Sequence, residues 1–291
     1  MSLIDHLQSG ATTVCRCWAV TRRDGWVRGF TDHDRDLSFE GVTFRAETGL
    51  SARALVQATG LSVDNTEAMG ALSDAAVTEA DITAGRFDGA EVRAWLVNWA
   101  DPADRMLRFA GTLGEMRRVG GAFHAELRGL TQALNRPQGR TYQTMCSAVL
   151  GDGACRFDTG RAGYFTQVAV EQVEEGRVLR WSELTTFEPS WFERGLFRVL
   201  SGAAEGLVSL VKRDRFVAGL REVELWEGLR ADLVPGDLVR LEAGCDKRWT
   251  TCRAKFDNLL NFRGFPDIPG EDWLVSTPLS AGQADGGSLL R

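Results

Sequence analysis

The strongest constraint on the fold is an alternation of apolar and polar side chains with a period of two, recurring in short, punctuated runs. Val92 to Trp99, Leu107 to Leu113 and Phe123 to Leu127 alternate or stay apolar over strand lengths, separated by Asp101-Pro102 and Gly120-Gly121. Thr13 to Thr21, Val27 to Thr31 and Val42 to Ala46 read the same way, with Asp24-Gly25 and Glu40-Gly41 as turns. A period of two puts successive side chains on opposite faces of a pleated strand, so the chain is predicted to be mainly β with small helices. Helical spacing is confined to Ser51 to Thr59, Thr78 to Gly85 and Thr141 to Leu150, and Ser51 and Thr78 are suited to act as N-caps.

The periodicity stops at Asn135-Arg136-Pro137-Gln138-Gly139, which predicts a domain boundary: residues 1–135 as one β-rich domain and 136–279 as a second. In the second, Thr166 to Val173, Val178 to Trp181, Val223 to Trp226 and Leu238 to Leu241 read as strands. Phe197 to Leu200 and Leu207 to Lys212 are interrupted by Ser201-Gly202 and Gly206, which favours two strands joined by a turn over one helix. Residues 280–291, rich in Gly, Ala and Ser, are predicted to be a flexible tail.

Charge narrows the function. The formal net charge is −6 with no block of like charge, which argues against a protein that grips nucleic acid through its phosphates. It leaves room for a wall past which DNA slides. No apolar run is long enough to cross a bilayer, and Met1 to Ser9 lacks the basic-then-apolar order of a signal peptide, so synthesis in the cytoplasm is expected. Six cysteines in that setting point to metal or cluster ligation, or to burial, rather than to disulfides.

Four of those cysteines form two spaced pairs. Cys146 and Cys155 enclose eight residues, and Cys245 and Cys252 enclose six. Both pairs sit in glycine-containing sequence, Leu150-Gly151-Asp152-Gly153-Ala154 and Ala243-Gly244, where the backbone can approach a ligand and aim N–H groups at sulfur. Arg156, Lys247, Arg248 and Arg253 lie nearby and favour thiolates. The spacing matches neither a short zinc-ribbon pair nor a ferredoxin run, so buried thiols, zinc on four cysteines and an iron–sulfur cluster all stay open on spacing alone.

Longer stretches carry a resemblance. Ala243-Gly244-Cys245-Asp246-Lys247, Thr251-Cys252, Lys255-Phe256, Asn258, Asn261-Phe262-Arg263-Gly264-Phe265-Pro266 and Ile268-Pro269-Gly270 resemble the C-terminal region of tail hub proteins of tailed prophages and gene transfer agents. Gly29-Phe30-Thr31-Asp32-His33-Asp34-Arg35-Asp36-Leu37 and Gly41-Val42-Thr43-Phe44 resemble the first domain of the same family. The cysteine spacing is also similar to that of tail tip protein L of lambdoid phages. The resemblance implies a β-barrel-type hub domain followed by a β-rich iron–sulfur domain, with a [4Fe–4S] cluster on Cys146, Cys155, Cys245 and Cys252. It further implies a trimer at the distal end of the tail of a virion-like particle. That trimer would join the tube or distal tail protein to the central fibre or receptor-binding protein, with DNA passing through its lumen. Residues 183–222 carry the least resemblance.

Other residues invite chemistry. Asp32-His33-Asp34 with Asp36 would serve an acid–base or hard-cation site, against which stands a polar turn whose side chains cap backbone N–H groups. The second reading is favoured, since the chain has three histidines and no partner motif. His124 is expected on a solvated strand face, His6 lies near the start, and Cys15 and Cys17, two apart on a strand, share one face as buried apolar groups. Phe262, Phe265 and the neighbouring prolines are expected to cover the cluster. Three functions result: a hub stapled by the cluster, a redox or hydrolytic enzyme using the cysteines or the His33 region, and a zinc-stabilised domain in a similar assembly.

Overall fold

The computed structural model describes residues 3–8, 10, 12–46, 65–68, 77–119, 122–129, 139 and 141–268. The chain divides into two compact units, Met1–Gln138 and Gly139–Arg291. Both are built on antiparallel strands with few short helices, as the alternation predicts. The helix expected over Ser51 to Thr59, the turn residues 135–138 and the tail 280–291 lie outside the described residues.

The first unit opens with helix α1 (Leu3–Gln8), followed by β1 (Val14–Thr21), β2 (Val27–Thr31), β3 (Leu37–Phe39), β4 (Val42–Arg45), β5 (Asn65–Ala68), α2 (Glu79–Thr83), β6 (Glu91–Asn98), β7 (Arg105–Val119) and β8 (Ala122–Gly129). The strands form one sheet in the order β3-β4-β2-β1-β6-β7-β8-β5, with β2 and β4 parallel. Register shifts between Ala94 and Trp95 and between Leu113 and Met116 bulge the long β7 pairings, and the sheet curls as a half-barrel. Its centre is covered on both faces. Trp18 and Val20 pack with Phe30, Phe87, Val92 and Phe109 on one side, while Cys15, Cys17 and Ala19 pack with Phe39, Phe44 and Trp95 on the other. This is why the central strands read as almost continuous apolar runs. The predicted cap is present: Thr78 Oγ1 accepts from the Asp81 backbone N–H at 3.1 Å, at the start of α2.

The second unit carries β9 (Phe165–Ala169), β10 (Gln172–Glu174), β11 (Val178–Trp181), β12 (Leu196–Val199), β13 (Val208–Val217), β14 (Leu220–Leu225) and β15 (Leu238–Glu242). They form an antiparallel sheet in the order β10-β11-β14-β13-β12-β15-β9. The stretch from Thr166 to Val173 is thus two strands rather than one, because the N–H of buried Val170 turns aside to the Asp237 carbonyl. The helix predicted over Thr141 to Leu150 does not form. Its N–H groups find distant or side-chain partners instead: Cys146 bonds the Lys247 carbonyl at 2.8 Å, Ser147 the Arg263 carbonyl and Val149 the Asp152 carboxylate. Helix α3 (Trp249–Ala254) and a 3₁₀ turn (Leu259–Asn261) follow the sheet.

One buried ion pair ties this sheet to the loop that precedes β12. Arg221 on β14 is fully buried, and its guanidinium grips both Asp214 oxygens at 2.7 and 2.6 Å. Its other N–H groups donate to the carbonyls of Leu184, Phe187 and Glu188, and Asp214 accepts from the Phe192 N–H at 2.9 Å. Removing one partner leaves a buried charge, so Arg221→Met is expected to cost about 3–5 kcal/mol of stability in denaturant titrations. Asp214→Leu with Arg221→Met is expected to lose less than the two single changes added together.

Candidate functional site

The four predicted cysteines come together in the second unit. Cys146, Cys155, Cys245 and Cys252 line one cavity of about 330 Å³, counting space open to solvent, together with Ala148, Leu150, Phe256 and Phe262 on its apolar side. Lys247, Arg248, Asn258 and Asn261 complete the wall. All four thiols are free. Among the described residues no group of three or more His, Cys, Asp or Glu side chains is placed to hold a metal ion.

Local chemistry explains how irregular backbone reaches this shape. Asp152 is the organiser of the first pair. Its carboxylate accepts the N–H groups of Val149, Ala154 and Cys155 at 2.8, 2.9 and 2.6 Å, folding the chain back on itself just before the second ligand. Those bonds, Cys155 foremost, hold the Asp152 carboxyl below the usual carboxylate range. Asp246 plays a similar part in the second pair, accepting from the Arg248 N–H and from Thr251 Oγ1 at the entry to α3, which carries Cys252. Cys146 is reached by the Arg263 N–H at 3.3 Å.

Beneath the cysteines lies a small aromatic layer. Phe157, Tyr164 and Phe256 pack edge-on or stacked at 4.8 to 5.8 Å, and Tyr164 donates its hydroxyl to the Lys255 carbonyl. Lys255 is pushed down to about 8 by burial. Its ammonium lies 4.2 Å over the Trp191 ring and donates to the Trp191 and Gly244 carbonyls at 2.6 and 2.9 Å. The loop from Leu184 to Arg194 therefore supports the site, although the sequence offered no reason to weight it.

Burial first, against the Lys247 backbone and charge, pushes the Cys245 thiol up. Burial and then the neighbouring Cys245, Cys146 and Cys155 push Cys252 up to about 11. Cys245 and Cys252 are thereby held protonated, and a metal or cluster that bound them would displace those protons. The donor set fits such a group: four sulfurs, N–H groups aimed at three of them, cationic residues and an apolar wall. Of the covering residues expected, Phe262 lines the cavity, while Phe265 packs on Tyr142 at 4.9 Å. Pro269 lies outside the described residues.

The remaining candidates resolve into structural roles. Asp32 accepts the Arg16 N–H at 2.6 Å, and the His33 Nδ1 accepts the Arg35 N–H at 3.0 Å. Asp36 accepts the Ala46 N–H, so the cluster is a capped turn. Cys15 and Cys17 are buried in the core; the thiol–thiol hydrogen bond and then burial push Cys17 up, keeping it neutral. His6 braces the chain by accepting the Thr13 N–H at 2.9 Å, a role its position did not reveal. The side chain of His124, in β8, lies outside the described residues.

Residues 1–158 match the family described as baseplate hub protein, N-terminal attachment domain, and 190–272 match the phage conserved hypothetical protein BR0599. The first cysteine pair falls in one match and the second pair in the other. The first match covers more than half of the 291 residues, and the chain belongs to the baseplate hub family. A chain in the solved virion of a native gene transfer agent (GTA) particle is 59% identical, with 99% of each chain covered and a TM-score of 0.90. Comparison with curated proteins gives no match.

Gly244 tests how closely this site depends on the supporting loop. A Cβ there would fall 1.6 Å from the Glu193 carbonyl oxygen. Gly244→Ala is expected to cost about 1–3 kcal/mol in denaturant titrations and to quicken reaction of the cysteines with a thiol reagent. Gly153→Ala, with nothing within 4 Å of the added carbon, is expected to stay within about 0.5 kcal/mol of the parent.

Proposed function

We propose that this protein is the structural hub at the distal end of a phage-like tail, stapled by a [4Fe–4S] cluster on Cys146, Cys155, Cys245 and Cys252. The hub role is supported by membership in the baseplate hub family and by whole-chain similarity to a component of a GTA virion. On this reading the protein resides in the tail of a virion-like particle. It assembles as a homotrimer, joins the tail tube or distal tail protein to the central fibre or receptor-binding protein, and lets DNA pass without specific contacts. The first unit supplies the attachment that its family is described by, and the similarity of the cysteine spacing to tail tip protein L points the same way.

The single observation that carries the cofactor is the ring of four thiols around a cavity. A zinc ion with Zn–S bonds of about 2.3 Å would draw four sulfurs to roughly 3.8 Å from one another. A cubane with an iron at each ligated corner keeps its ligands farther apart and fills the space between them. The choice of a cluster over zinc rests on the family resemblance, and metal analysis separates the two. Its role is structural: thiolate–iron bonds join the start of the second unit to its end. Against an enzymatic reading through the His33 region stands its local bonding, in which Asp32, His33 and Asp36 are engaged with nearby backbone N–H groups.

Protein purified without oxygen is expected to be brown, with about four iron and four sulfide per chain and little zinc. Cys245→Ser is expected to be colourless, to melt earlier in its C-terminal half and to fail to assemble into particles. A colourless zinc protein would replace the cofactor but keep the hub. Normal folding and assembly of the colourless Cys245→Ser variant would remove the stapling role.

A further inference from the structure

Asn258 reaches both cysteine pairs, the first through its side chain and the second through its backbone, and nothing in the hub role requires it. Its Nδ2 donates to the Cys155 carbonyl at 2.7 Å and lies 3.5 Å from the Cys155 sulfur. Its own backbone N–H donates to the Cys252 carbonyl region of α3 at 3.1 Å, and its carbonyl accepts from the Cys252 thiol at 3.4 Å. The direction of the amide is fixed by its partners. The Cys155 carbonyl can only accept, so the NH₂ end must face it, and Asn261 Nδ2 donates to the opposite Oδ1 at 2.7 Å. The N–H that reaches sulfur is therefore set by chemistry and not by an arbitrary choice of rotamer.

We infer that Asn258 is a positioning residue that tunes the electron affinity of a cluster bound by the four cysteines, through its N–H···S contact with Cys155. The inference rests on the cluster reading given above. A donor hydrogen-bonded to a ligand sulfur stabilises the more negative, reduced state and raises the reduction potential. The other N–H donors to ligand sulfurs are backbone groups, Arg263 on Cys146 and Lys247 on Cys245, which no side-chain substitution removes. Asn258 is therefore the adjustable donor.

The test uses the full chain reconstituted with iron and sulfide without oxygen, as the parent and as Asn258→Ser and Asn258→Asp. Iron and sulfide content is measured first; a parent that takes up neither removes the cluster itself, before any variant is read. Midpoint potentials are then taken by spectroscopic titration, a readout that a purely structural role would leave in place. Both variants are expected to keep full iron content and to shift to lower potential, Asn258→Asp the further because it sets a carboxylate beside sulfur. Potentials equal to the parent at equal iron content would overturn the inference. Loss of the cluster from both variants would overturn it as well, since four thiolates, and not Asn258, are held to bind the cluster; if only one loses it, the other decides.

Discussion

The second unit depends on the Arg221–Asp214 pair. Both side chains are fully excluded from water, and an isolated charge there would be costly to keep. The cost is offset because all the guanidinium's remaining donors are spent on carbonyls of the 184–188 loop. That loop has no ladder of its own to satisfy those carbonyls. The pair thus does two things at once: it neutralises itself and it supplies hydrogen bonds to irregular backbone. From there order passes along the chain. Trp191 and Glu193 are set against Gly244 and Lys255, and those residues flank Cys245 and Cys252.

Lys255 shows why such support is needed on the cysteine side. Its amine is drawn into a site where burial opposes its charge, yet two carbonyls and the Trp191 ring hold it there. It places positive charge beneath Cys245 while Lys247 and Arg248 place more at the cavity wall. Raised thiols and surrounding cations are two sides of one electrostatic arrangement. The pocket resists bare thiolates at Cys245 and Cys252 and would favour them once a metal shared their charge.

Much of the fold could be read from the sequence, because short apolar or alternating runs bounded by turn residues, such as Trp18-Ala19-Val20 before Asp24-Gly25, reflect a local rule of strand geometry. That Cys146, Cys155, Cys245 and Cys252 line one cavity agrees with the grouping that the family resemblance implied, which their spacing alone left open. What stayed hidden depends on long-range partners. Thr141 to Leu150 has local helical spacing, but Lys247 and Arg263, about a hundred residues on, take its hydrogen bonds. Asp152 and Asn258 look like ordinary turn residues until the structure brings them to the cysteines. The 183–222 segment, least like the family by eye, contains the Arg221 pair; no pattern in one sequence pairs Arg221 with Asp214 rather than with any other acid.

On the proposed reading, a cluster on the cysteines would offset an imbalance between the two layers of the second unit. Among the described residues, the sheet core gathers fourteen buried side chains, from Val170 to Leu241, whereas the layer at the cysteines has only Phe157, Ala243 and Phe256. Three buried residues release too little apolar surface from water to order two irregular segments some ninety residues apart in sequence. Hydrogen bonds from Asp152, Asp246 and Asn258 shape each segment, but exposed bonds of this kind add little net stability. Covalent ligation acts differently: it closes a long loop once and makes the two segments a single unit. Were the four cysteines ligated as proposed, that bond would act where the core is thinnest.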